Sequence, residues 1–180
     1  MKSFTRKCVF SHSLALFLLG PCLLLSCSKS DDQRTFEQEA LRAPQNITET
    51  SGDPSDEGRT DSDDWRISPM YQGLIAIGQP YTRFPYPNPL HYNDRLILEL
   101  YLRGVETLSG IEIHAVDSLR HISGPIASQN GLSSTSLVSF DISGSAIAGA
   151  SGGDHSSGLY RILIFDSRQN IISYGDVRVQ

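Results

Sequence analysis

Arg95-Leu96-Ile97-Leu98-Glu99-Leu100-Tyr101-Leu102-Arg103 decides the fold of this chain: four leucines fall on the even positions, with Ile97, Glu99 and Tyr101 between them. Successive side chains of a strand point to opposite faces, so this run has one wholly apolar face and one mixed face. The period is two, not that of a helix. Further along, Ile111, Ile113 and Ala115 alternate with Glu112 and His114, and Val138, Phe140 and Ile142 alternate with Ser139 and Asp141. Tyr160, Ile162 and Ile164 continue the pattern, as do Val177 and Val179, and short strands are expected at Leu74 to Ile77 and Ile171 to Tyr174. Ser167 to Asn170 reads as the loop of a hairpin. About seven short strands with Gly- and Ser-rich turns, and no amphipathic helix after Trp65, predict an all-β fold, a single antiparallel β-sandwich.

Composition changes where the strand pattern begins. Residues 65–180 carry eight arginines against nine acids. A domain of about 115 residues buries roughly two thirds of its unfolded surface. Upstream, Ser28 to Asp64 holds eleven acids against four bases, and its large apolar side chains are Phe36, Leu41 and Ile47. Such a segment does not bury enough surface to offset its ordering entropy, so residues 27–64 are expected to form a disordered acidic tether. Thr35 to Ala43 has the cap and the Gln38 of a transient helix, which Pro44 would stop. As a flexible coil the tether would span roughly 35 Å. Its acidity reads as that of a solvated spacer, the alternative being a calcium- or partner-binding tail. Asp61-Ser62-Asp63-Asp64 lacks the Gly and distal Glu of a calcium loop.

At the amino terminus Lys2, Arg6 and Lys7 precede the apolar run Leu14 to Leu25, which reads as a signal peptide over residues 1–26. About twelve residues of helix cover roughly 18 Å, short of a hydrocarbon core of about 30 Å. Leu24-Leu25-Ser26-Cys27 resembles the lipobox of bacterial lipoproteins. That resemblance implies a diacylglycerol on the Cys27 sulfur, cleavage before Cys27, acylation of the new amino terminus, and attachment to the membrane through lipid. Cys8 and Cys22 would leave with the signal peptide, so no thiol would remain for a disulfide. The competing reading is an ordinary secretory signal with Cys27 incidental. Ser28, where an Asp would imply retention at the inner membrane, implies the outer membrane instead. Lys29-Ser30-Asp31-Asp32 is similar to the acidic surface-export signals of Bacteroidota lipoproteins.

Tyr86-Pro87-Asn88-Pro89, the leucine strand, Gly110 to Asp117 and Ser157 to Ile162 together resemble immunoglobulin-like modules related to type IX secretion sorting domains and to the flagellar hook-capping protein. The resemblance implies an immunoglobulin-like sandwich over residues 65–180. Sorting domains normally follow a large cargo and end in a basic strand, whereas this chain ends Asp176-Val177-Arg178-Val179-Gln180. The architecture therefore carries over better than the sorting role.

No constellation of residues names a reaction. His91, His114, His121 and His155 lack tight metal spacing, and a zinc or copper site completed by Asp117 or Asp154 is weighed against scattered surface histidines. Asp154-His155-Ser156 supplies triad residue types without a G-x-S-x-G elbow, inside a Gly- and Ser-rich stretch, Ser143 to Gly158, that reads as a mobile loop. Gly149 to Gly153 lacks the Lys-Ser/Thr of a phosphate loop, and after signal removal 12 bases face 20 acids, so neither nucleotide nor nucleic acid is expected. The candidate contact surface is Tyr81, Phe84, Tyr86 and Tyr92, interleaved with Pro80, Pro85, Pro87 and Pro89; it docks a partner or else seals one end of the sandwich. The expectation is thus a non-enzymatic, cofactor-free, lipid-anchored module that binds a protein or polysaccharide at the outer membrane. The alternative is a structural accessory subunit of an envelope or secretion complex.

Overall fold

The computed structural model describes residues 29–53, 58–103, 108–132, 136–149 and 157–180. Among them seven strands form two antiparallel sheets. The strands are β1 (Ile75–Ala76), β2 (Arg95–Leu102), β3 (Gly110–Val116), β4 (Ala127–Asn130), β5 (Ser136–Ser143), β6 (Gly158–Asp166) and β7 (Ile171–Val179). One sheet has the order β1-β2-β5 and the other β4-β3-β6-β7. The sandwich expected from the period-two pattern is the fold observed.

Leu96, Leu98, Leu100 and Leu102 are each 0 % exposed. They share one core with Ile111 and Ile113 of β3, Val138, Phe140 and Ile142 of β5, Ile162 and Ile164 of β6, and Val177 and Val179 of β7. Burying one leucine contributes about 1.5–3 kcal/mol, so these four alone match the net stability of a typical domain. β2 and β5 pair without a shift from Arg95 opposite Ser143 to Leu102 opposite Ser136.

Beyond a residue or two at strand ends, such as β1 covering Ile75–Ala76 of the expected Leu74 to Ile77, the strands differ from expectation at two places. Residues 171–179 form one strand, although Gly175-Asp176 interrupts the apolar pattern that suggests two. Both residues answer to tertiary contacts. The indole of Trp65 occupies the space beside Gly175, where a Cβ would lie 2.3 Å from ring atoms. Asp176 pairs with Arg161 directly across the ladder. The second difference is β4, whose Ala127-Ser128-Gln129-Asn130 carries no alternation to read. The hairpin loop after β6 is as expected, closed by bonds between Asp166 and Asn170. Part of the stretch expected to be a mobile loop is ordered as α2 (Gly144–Ala148), which Ser143 caps; residues 150–156 lie outside the described ones.

The disordered tether is corrected. Helix α1 (Asp31–Ala40) is capped by Ser30, whose hydroxyl accepts the Gln33 N–H at 3.2 Å. It starts four residues before the expected Thr35, and its buried stripe is Gln33, Phe36 and Ala40. That stripe packs against Val116, Leu163, Ile171 and Tyr174 on the outer face of the four-stranded sheet. Averaged composition fails here because an apolar sheet face needs few anchors when they fall at helical spacing. Asp31 and Asp32 fall in the first turn, where the helix dipole favours them. Beyond the helix Ile47 and Thr48 are buried, and Asp64 bonds to β7. Residues 29–53 and 58–64 therefore belong to the folded unit, and position 64/65 is not a domain boundary.

Candidate functional site

α1 covers the outer face of the four-stranded sheet, while the outer face of the other sheet carries an array of aromatic and arginine side chains. Tyr81 stacks on Tyr101, with centroids 5.3 Å apart and planes 4° from parallel. The Arg103 guanidinium lies 5.2 Å from the Tyr81 ring centre and donates to its hydroxyl at 3.3 Å. Arg83 lies 3.9 Å above the Tyr86 ring, held there by donating to the carbonyls of Ser51 and Gly52. Tyr86 bridges to Ile97 and Tyr101 pairs with Leu137, so both rings project from one face, roughly 13 Å apart along β2. Leu137 and Leu74 are exposed beside them. Each exposed arginine–ring contact contributes about 0.5–1 kcal/mol and holds a flat, amphipathic surface in place.

Of the four aromatics expected to make a surface, Tyr81 and Tyr86 share one sheet face without touching. Phe84 packs inward against the core and beside Gly78, whose φ of +83° and lack of a side chain accommodate the ring. Tyr92 lies at the opposite end of β2 from Tyr81, its N–H donating to the Gln180 carbonyl. The prolines do not prevent pairing. They alternate with Tyr86, Asn88 and Leu90, whose N–H groups donate to Ile97, Thr50 and Arg178 respectively, so the segment stitches β2 to β7. The Tyr86-Pro87 and Asn88-Pro89 bonds are cis. Tyr101, Arg83 and Arg103 complete the array and were not singled out by sequence; the mixed face of the leucine strand is the signal for Tyr101.

A second cluster fastens the amino-terminal segment. Arg161 makes a two-pronged pair with Asp176, at 2.7 and 2.8 Å, and stands 4.8 Å over the Tyr174 ring. Its Nη1 donates to the carbonyls of Glu39 and Arg42 at 2.7 and 3.1 Å. α1 has no basic residue in its last turn, so Arg161 supplies the cation at that terminus. Asp176 also accepts the Gln45 N–H, and its own N–H donates to Asp64, which accepts the Thr48 N–H through its other oxygen at 2.7 Å. The Asn88 amide donates to the carbonyls of Thr48 and Asp176, both at 2.9 Å. Burial pushes the Asp64 carboxyl up to about 7, and the charge of Asp176 adds to this while the two N–H bonds oppose it. The cleft here is about 80 Å³, far below the roughly 300 Å³ of a small-molecule site. This is a clasp within the fold. Its sequence signal is a buried charge inside each of two largely apolar neighbouring strands, Arg161 in β6 and Asp176 in β7.

The remaining candidates do not converge. His114 Nδ1 donates to the Ser123 carbonyl at 2.9 Å, and its buried Nε2 has no hydrogen-bond partner among the described residues and lies 3.6 Å from Glu112. Asp117 instead caps its own turn, accepting from Leu119 and from the backbone and ring of His121. His91 is exposed. Among the described residues no three His, Cys, Asp or Glu side chains are grouped to hold a metal, and no helix is long and apolar enough to cross a membrane. Asp154, His155, Ser156 and Cys27 lie outside the described residues. No protein family, no curated protein and no solved structure matches this chain.

Proposed function

We propose that this chain is a lipid-anchored, non-enzymatic binding module of the bacterial outer membrane, which presents one face of an immunoglobulin-like sandwich to a protein or polysaccharide. The observation that carries this reading is the sheet face that the described residues leave open, with its Tyr81–Tyr101 stack and its Arg83 and Arg103 contacts. Flat rings flanked by guanidinium donors suit sugar stacking and protein contact alike. The strand order β1-β2-β5 and β4-β3-β6-β7 supports the immunoglobulin-like assignment, with the fourth strand joined to the third in place of the fifth. The anchor rests on Leu24-Leu25-Ser26-Cys27. Cys27 and Asp31 are four residues apart, which bounds their separation at about 14 Å, so lipidation would hold the folded unit close to the bilayer.

Two measurements test the two halves of this reading. Expressed in a Gram-negative host, the wild type should have the mass of residues 27–180 plus acyl chains and partition into detergent, whereas Cys27→Ala should stay aqueous. An unmodified, soluble wild type removes the anchor. In affinity electrophoresis through gels containing envelope polysaccharides, retardation should be lost in Tyr81→Ser/Tyr101→Ser. Equal retardation of both proteins removes this face as the sugar site.

A further inference from the structure

Sheet edges are where a sandwich offers unpaired backbone groups, and most edges of this one are covered or short. The outer edge of β7 receives N–H groups from Trp65, Ser68 and Leu90, donated to Tyr174, Ile172 and Arg178. β1 and Tyr86 cover the side of β2 away from β5. β1 is two residues long and β4 is four. β5 is eight residues long, ends its sheet among the described residues, pairs without a bulge and contains neither proline nor lysine.

The register identifies the open groups. Ile97 exchanges both backbone bonds with Tyr86, at 3.0 and 2.7 Å, so its polar groups point away from β5 and its pair with Asp141 is a non-hydrogen-bonded one. By alternation Leu137, Ser139 and Asp141 direct N–H and C=O outward, and none of their N–H groups has a partner among the described residues. The Asp141 carbonyl accepts from Arg95 at 2.9 Å. On the outer face Leu137 lies beside Tyr101, Ser139 beside Glu99, and Asp141 is ion-paired with Arg95. Glu99 has no cation or donor among the described residues.

We infer that β5 is a docking edge for an extended peptide of a partner protein, which adds a fourth strand carrying an apolar side chain over Leu137 and Tyr101 and, two positions away, a lysine or arginine reaching across Ser139 to Glu99. Charge complementarity selects this occupant: the small Ser139 leaves the unpaired carboxylate within reach of a long cation, while Asp141 is already neutralised. Alternate residues of a strand are about 6.6–6.8 Å apart, the spacing of Leu137 and Ser139 themselves, so one added strand addresses both. The inference rests on the binding-module reading only in taking the partner to be a protein.

The test uses the full chain and two blocked nine-residue probes, in which threonine alternates with valine, leucine and lysine, or with glutamate in place of the lysine. The lysine probe should slow hydrogen exchange across 136–143 and bind at least tenfold more tightly than the glutamate probe, a preference that Glu99→Gln should erase. Ser139→Pro removes an outward N–H and no bond of the β2–β5 ladder, so its thermal midpoint should stay near that of the wild type while probe binding is lost. Should that variant unfold, Ser139→Lys serves instead. Unchanged exchange across 136–143 at saturating probe, or equal affinity for the two probes, overturns the inference. Protection of 136–143 that rises with protein concentration alone also overturns it, by assigning the edge to a second copy. Glu99→Gln should leave retardation by envelope polysaccharides unchanged, so loss of the aromatic-face reading and loss of this one are separable.

Discussion

The Asp64 carboxyl accepts two backbone N–H groups, yet burial raises it to about 7, so the folded state keeps a proton that an unfolded aspartic acid gives up near pH 4. From about pH 4 to 7 the unfolded chain therefore binds fewer protons than the folded one, and stability falls by up to about 1.4 kcal/mol per pH unit, on the order of 4 kcal/mol in all, before levelling above 7. Asp117 and Asp166 act oppositely. Burial raises both, but the bonds from His121 and Leu119 to the first, and from Tyr71, Asn170 and Arg168 to the second, outweigh it and leave both lowered. Their contribution is present above about pH 4 and lost as they protonate below it. The thermal midpoint should thus peak near pH 4–5 and decline toward 7, and Asp64→Asn should flatten the decline while lowering the peak, since one N–H donor would face an amide nitrogen. An Asn variant as steep as the wild type between pH 4 and 7 would acquit Asp64. At this scale the sequence discloses Tyr81 and Tyr86, because aromatic residues between prolines are conspicuous. It hides Arg83 and Arg103, whose meaning depends on the rings that other segments bring beneath them.

A ten-residue helix is marginal alone, and α1 owes its order to the sheet beneath it. Phe36→Ala should cost about 3 kcal/mol and release the amides of 31–40 to faster exchange, while those of β2 and β5 keep their protection. Uniform loss of protection would instead make α1 part of the same cooperative unit as the sandwich. The contrast between α1 and β2 explains what the sequence reveals about elements. β2 makes its core contacts through every second residue, so its face is visible in nine letters. α1 exposes most of its surface to water and reaches the sheet through Gln33, Phe36 and Ala40, so its acids dominate any reading by composition. β7 is split on paper by Gly175 and Asp176, residues chosen by Trp65 and Arg161 on other elements. β4 has no apolar alternation because it is an exposed edge strand.

For the molecule as a whole, residues 29–53 and 58–64 are a third layer and a clasp, and that changes what counts as the domain. A fragment 65–180 would leave Leu163, Ile171 and Tyr174 without Phe36 and Ala40, and would strip Asp176 and Arg161 of Gln45 and of the α1 carbonyls. Arg161 and Asp176 would keep each other, so the buried pair survives but meets water on one side, where ion pairs are weak. The larger loss is apolar: an uncovered sheet face invites association. The 65–180 fragment should therefore unfold on the order of 10 °C or more below the 29–180 fragment, bind a hydrophobic dye and self-associate. Adding 29–64 as a separate peptide should restore the midpoint, because docking on a folded sandwich stabilises it by mass action. Equal midpoints for the two fragments, without dye binding, would return residues 29–64 to the role of a spacer and the folded unit to a greater distance from any lipid on Cys27.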